Sequence, residues 1–234
     1  MDEQQPRQRF WKRDGRLATS NEVLVIGLGR FGSALATTLV EMGHEVLAVD
    51  SDAQRVQDHM DLLTHVRQAD CTSEAVLRQM GAENVSTAVV CIGTDVESSV
   101  LATAALVDIG VSNIWAKAIT KPHGKILERV GAHHVVLPES QMGQRTAHLV
   151  TGTMREYIVL DDDFLLVELP VPKQLDGVRL GSSELRARHN ITVVCIKHGK
   201  QPFTYTTADT VLHAGDLVVI AGHRHHVESF ASNS

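Results

Sequence analysis

Between Glu22 and Leu137, short runs rich in Val, Ile and Leu alternate with stretches of helical spacing. No other feature of the chain narrows its possible folds so far. The runs are VLVIG, HEVLAVD, HVRQAD, TAVVCIG, NIWAKA and HHVVLP. Between them lie FGSALATTLVEMG, DAQRVQDHMDLL, SEAVLRQMGA, DVESSVLATAALVDIG and GKILERVGA, whose apolar residues recur at helical intervals. Nearly continuous apolar runs belong to strands covered on both faces, the condition of a parallel sheet. Parallel neighbours need a crossover, and the intervening helices supply it. The alternation predicts a doubly wound α/β sheet over residues 21–139. Gly43, Gly81, Gly110 and Gly131 fall where helices should stop. Thr94 with Glu97 reads as a capping box at the start of the fourth helix.

The texture changes near Ser140. SQMGQRTAHLVTGTMREY reads as a helical connector, assigned to residues 140–155. FLLVELPVP, ITVVCIKHG, PFTYTT and DLVVIAGH follow, with SSELRARHN as a single helical stretch, which predicts a small α+β domain over residues 156–234. Residues 1–20 are polar, carry five Arg and Lys around Phe10 and Trp11, and read as a flexible tail without a secretory signal; the alternative is a basic segment that lies on an anionic membrane or a partner protein. No apolar stretch reaches the roughly 18 to 20 residues that span a bilayer. A formal charge of −6 argues against a nucleic-acid partner. Cys71, Cys91 and Cys195 are odd in number and widely spaced, as expected of free thiols in a reducing cytoplasm.

The first run ends in G-x-G-x-x-G. Gly27 allows the tight turn, Gly29 lets backbone approach a phosphate, and Gly32 lets the helix pack on the strand. The helix start adds unpaired N–H groups and a partial positive charge. Asp50 ends the second run, where a carboxylate accepts ribose hydroxyls and repels a 2′-phosphate. NADP is therefore disfavoured, while NAD, ATP and ADP share the adenosine diphosphate half and stay open. Ligands of open α/β sheets lie beyond the carboxyl ends of the strands, which brings in Asp70, Gly93 and the residues around Ala118. Asp70 either reaches adenine or ribose or caps the next helix with Thr72.

Arg30 stands within the loop. A guanidinium adds charge-assisted bonds to a terminal phosphate, which NAD lacks, so it suits a free di- or triphosphate; the alternative is a solvent-facing arginine. Glu139, in LPES, either shares Mg²⁺ or another cation with phosphates or caps a helix. A small NAD-dependent oxidoreductase is the competing function. It would need an acid or base poised for proton transfer, and the second domain has no catalytic-looking cluster. HRHH at 223–226 fits a solvated face.

NEVLVIGLGRFGSALATTLVEMGHEVLAVD, NIWAKA, GAHHVVLPES with the following QMG, and DLVVIAGH together resemble the RCK proteins of the KtrA and TrkA type, over about residues 21–230. The resemblance implies a Rossmann-like nucleotide-binding domain (RCK-N) before a regulatory RCK-C domain. It implies a non-enzymatic cytoplasmic subunit that forms a homodimer, assembles into an octameric ring, and gates a membrane potassium transporter or channel through ATP or ADP. Gly27, Gly29, Gly32 and Asp50 match the family's nucleotide site, Arg30 its γ-phosphate arginine, and Glu139 its cation-holding acid. Asp70 and Lys117 match positions near the nucleotide, and Phe31, Cys71 and Gly93 join the candidate contacts. Arg186, Ala187 and Ile191 match a region where some members bind cyclic di-AMP. FTYTTADTV lacks the proline that such members carry there, which speaks against that ligand.

Overall fold

Six strands alternate with five helices before the chain changes character. They are β1 (Glu22–Ile26), α1 (Arg30–Glu41), β2 (Glu45–Asp50), α2 (Ala53–His59), β3 (His65–Gln68), α3 (Glu74–Gln79), β4 (Thr87–Val90), α4 (Val96–Ile109), β5 (Asn113–Lys117), α5 (Lys121–Val130) and β6 (His134–Val136). The structure is a computed structural model that describes residues 22–150, 156–161 and 163–232. The tail expected at 1–20 and the end of the expected connector, 151–155, lie outside the described residues.

The strands form one parallel sheet in the order β3-β2-β1-β4-β5-β6, the doubly wound architecture expected. The apolar runs have a simple cause. On β1, Leu24 and Ile26 enter a core that includes Leu77, Leu106 and Leu127 from α3, α4 and α5. Val23 and Val25 enter a second core with Ala36 of α1 and, at its margin, Val56 of α2. A strand covered on both faces leaves little room for polar side chains along its middle. The reversal of strand order between β1 and β4 opens a crevice at the carboxyl ends, where ligands of such sheets sit.

The capping expectation at α4 is corrected by one residue. Asp95, not Thr94, is the N-cap: its carboxylate accepts from the Glu97 and Ser98 N–H groups at 3.0 and 3.2 Å and from the Ser98 hydroxyl at 2.6 Å. Aspartate is at least as good a cap as threonine, and Ser98 fixes it further. Asp70 does not cap a helix. It accepts from the Thr72 N–H and hydroxyl at 3.0 and 2.7 Å in a local turn, and Ser73 precedes α3.

The chain divides into two compact units, 1–139 and 140–234. Helix α6 (Pro138–Val150) begins at the end of the first. The second contains β7 (Glu156–Asp161), β8 (Phe164–Pro170), α7 (Leu185–His189), β9 (Ile191–Lys197), β10 (Thr204–Tyr205), β11 (Leu217–His223) and α8 (Arg224–Ser232). Its strands pair antiparallel in the order β10-β9-β11-β8-β7. Leu165, Val167 and Leu169 alternate inward along β8 and pack with Ile191, Ile196, Val218 and Ile220.

Two expectations fail here. The expected strands of this unit began at Phe164, and β7 over Glu156–Asp161 precedes them. Tyr157 is its only buried side chain, so the strand carries little alternation to read. The single expected helix is also joined by α8. His223 ends β11, Arg224, His225 and His226 open α8, and Val227, Phe230 and Ala231 at helical spacing bury its inner face.

Candidate functional site

A cleft of about 430 Å³ lies in the first unit at the carboxyl ends of β1, β2 and β4. The glycine loop forms its floor. Gly27, at φ +97°, is in a conformation that L side chains rarely adopt. A Cβ on Gly32 would lie 1.8 Å from the Gly27 carbonyl oxygen, so α1 meets the loop at backbone contact. Gly29, Arg30 and Phe31 line the cleft beside it.

One end of the cleft is acidic. Asp50 is buried and accepts from the Leu28 N–H at 2.6 Å and the Asp52 N–H at 2.9 Å. Arg55 of α2, half exposed, reaches the same carboxylate with Nη1 at 3.4 Å. Asp70 lines the cleft nearby, and its hydrogen bonds from Thr72 hold its carboxyl below the usual range. Cys71 and Cys91 present buried thiols, each pushed up to about 12 chiefly by burial; for Cys71, Asp70 and Asp50 add to the shift.

Another part of the lining is cationic. Lys117, at the end of β5, is buried with its Nζ 2.6 Å from Glu139 Oε1 and 5.6 Å from the centre of the Phe31 ring. A Cβ on Gly93 would lie 3.2 Å from that Nζ, so the glycine leaves the lysine its space. Arg30 is exposed at the first position of α1. The Lys117 hydrogen bond, with a smaller contribution from Arg30, holds the Glu139 carboxyl below its ordinary value. Among the described residues no group of three His, Cys, Asp or Glu could hold a metal. Glu139 by itself supplies one carboxylate, so a cation there would need further oxygens from phosphate or, as the family resemblance implies, from an adjoining subunit.

The cleft thus brings together Gly27, Gly29, Arg30, Phe31, Asp50, Asp70, Cys71, Gly93, Lys117 and Glu139, while Gly32 lies behind the loop. Sequence reasoning missed Arg55, Asp95 and Ser98, which also line it. Asp95 had a readable signal as a helix cap, whereas Arg55 looks like any solvated arginine in the first turn of a helix. In the second unit Arg186 and Ala187 are exposed on α7, Arg186 Nε donates to Thr192 Oγ1 at 3.3 Å, and Ile191 is buried in the core.

Residues 23–138 match the TrkA-N domain and residues 164–233 the TrkA-C domain. The chain belongs to the TrkA family. Ktr system potassium uptake protein C of Bacillus subtilis (strain 168) is 36% identical over 202 residues, 86% of this chain and 91% of its own length. Ktr system potassium uptake protein A of the same organism is 34% identical over 212 residues, 90% of this chain and 96% of its own. The fold is similar to the crystal structure of the GsuK RCK domain, with a TM-score of 0.62 at 18% identity. That match covers 90% of this chain and 47% of the other. The resemblance to the RCK proteins is thereby borne out, and the TrkA-N match spans the glycine loop and every cleft residue named above except Glu139.

Proposed function

We propose that this TrkA-family chain is the nucleotide-sensing regulatory subunit of a potassium uptake system. The observation that carries the reading is the charge layout of the cleft. Buried Asp50 suits ribose hydroxyls, while Arg30 and Lys117 suit phosphates beyond the glycine loop. The relatives named as potassium uptake proteins favour regulation over the oxidoreductase alternative. The ligand we assign is ATP or ADP. NAD fits the same adenosine half but gives Arg30 no terminal phosphate.

The γ-phosphate supplies the difference in contacts that a switch requires, because a ligand shifts an equilibrium only through its differential affinity for the two states. In this reading Arg30 reaches that phosphate, and Glu139, paired with Lys117 at 2.6 Å, is the residue that would hold a divalent cation such as Mg²⁺, which would offset phosphate charge there. The subunit works as a homodimer within an even-numbered ring, proposed as an octamer, at the inner face of the membrane against a pore-forming potassium transporter. Closed symmetry lets many small shifts act on one pore.

The test is parallel calorimetric titration with ATP, ADP and NAD, with light scattering on the same samples. ATP and ADP should bind more tightly than NAD, and the scattering mass should correspond to an even-numbered assembly. Arg30→Ala should lower ATP affinity about tenfold or more, the scale of a charge-assisted hydrogen bond, and ADP affinity less. An unchanged ATP-to-ADP ratio would remove Arg30 from the sensor, and a strictly monomeric protein would sink the gating role.

A further inference from the structure

Asp50 has a contact that a ribose acceptor alone does not need. Its Oδ2 takes the Leu28 N–H at 2.6 Å, in buried surroundings, from the residue between the first two glycines of the loop. Its Oδ1 takes the Asp52 N–H at 2.9 Å. The Gly27 N–H also ties the loop to β2, donating to the Val49 carbonyl at 2.7 Å, a bond between backbone groups alone. We propose that Asp50 is the positioning residue of the phosphate loop as well as the ribose acceptor, so that one carboxylate fixes both halves of the nucleotide site. The inference rests on the nucleotide reading above and adds a second task for the same residue.

The two tasks are compatible. An ionised carboxylate offers about four lone-pair sites. Leu28 and Asp52 occupy two with short bonds, and Arg55 Nη1 occupies a third at 3.4 Å from a half-exposed side chain. Exposed, long ion pairs hold weakly, so Arg55 yields its place readily. Two sites then remain for the two ribose hydroxyls while the loop keeps its anchor. The Leu28 N–H is committed to the carboxylate, so the phosphates are left to the amides that follow it in the loop and at the start of α1. Where those amides point depends on Asp50.

This role separates cleanly from simple ribose recognition when the ligand has no ribose. Inorganic tripolyphosphate is such a probe. A carboxylate that only accepts ribose would repel it, and removing that charge would leave binding unchanged or tighter. A carboxylate that holds the loop predicts the opposite. Asp50→Ala should weaken tripolyphosphate by at least about tenfold, the effect of losing one charge-assisted hydrogen bond that shapes the site. Asp50→Asn, whose single amide oxygen can serve Leu28 or Asp52 but not both, should fall between.

The experiment titrates wild type, Asp50→Ala and Asp50→Asn with tripolyphosphate and with ADP, and follows amide hydrogen exchange in the ligand-free proteins. Leu28 should be protected in wild type, lose protection in Asp50→Ala and be intermediate in Asp50→Asn, while Leu24 and Val25 in β1 stay protected and report an intact sheet. Weakened ADP with unchanged or tighter tripolyphosphate would overturn the positioning role and leave ribose recognition standing. An unprotected Leu28 amide in wild type would also overturn it, whether or not the variants fold. If wild type binds neither ligand, the nucleotide reading falls and this inference falls with it.

Discussion

The first unit and the second treat buried polar groups differently. Among the described residues, Asp50, Ser99, Thr103, Lys117 and His123 are buried in the parallel unit, and Asp216 is the one such residue in the antiparallel unit. Asp216 sits just before β11 and is met by His198 Nδ1 at 2.6 Å, a local pair next to an otherwise apolar core. Asp50 and Lys117 instead lie on the same edge of the sheet and line one cleft. Burying charge is costly unless it is paired, and both are paired: Asp50 by the Leu28 and Asp52 N–H groups and Arg55, Lys117 by Glu139. The antiparallel unit gathers no such charges at one edge, and its core is organised by strand alternation and by apolar residues of α7 and α8.

The strongest way to break this contrast is at the loop. Gly32→Val places its Cβ at the 1.8 Å approach to Gly27, where backbone must move. The expected loss is more than about 4 kcal/mol from the first unit, with nucleotide binding abolished. Thermal denaturation and calorimetry measure the two. A variant that binds nucleotide normally would show that the close packing of α1 on the loop is dispensable.

The second unit should respond in the opposite sense. Leu169→Ala removes a fully buried side chain from β8 and should destabilise by about 2–5 kcal/mol, yet leave nucleotide affinity unchanged. Denaturant titration beside a binding isotherm checks both. Equal losses in stability and affinity would mean the two units do not divide the labour as described.

The smallest effect concerns pH. His123 is buried at the start of α5, its Nδ1 accepts the Ile119 N–H at 3.4 Å, and Nε2 meets no partner among the described residues. Burial lowers its pKa below the ordinary 6.5. The unfolded chain therefore takes up the proton first, and stability falls as pH drops below about 6.5, by at most about 1.4 kcal/mol per pH unit for one group. His123→Gln keeps an acceptor that does not titrate and should flatten that part of the stability curve. Melts between pH 7 and 5 test it, and an identical slope in the variant would acquit His123.

Much of the parallel unit was legible because its physics is local. Strands covered on both faces must be largely apolar along their middle, helix ends must solve their own hydrogen bonding, and Gly27 needs a backbone region that other residues avoid. Capping was legible to within a residue: the acceptor proved to be Asp95 because Ser98 adds a side-chain bond that Thr94 with Glu97 does not have. Pairings made by the fold were not legible. Lys117 and Glu139 lie 22 positions apart, and only the sheet brings them to 2.6 Å. Arg55 joined the cleft because α2 turns back over the end of β2. In the antiparallel unit, β7 is not legible because only Tyr157 is buried along it. Val227, Phe230 and Ala231 carry a helical stripe for α8, but the polar histidines before them match a solvated face as well as a helix start.

The two thiols of the cleft have a chemical consequence of their own. Alkylating agents and peroxides attack the thiolate, and a group raised to about 12 is ionised in only about one molecule in 10⁵ at neutral pH. Cys71 and Cys91 thus line the cleft with sulfur that is chemically quiet. In the nucleotide-sensing role proposed above, oxidants would leave both sulfurs, and so the lining of the cleft, unchanged.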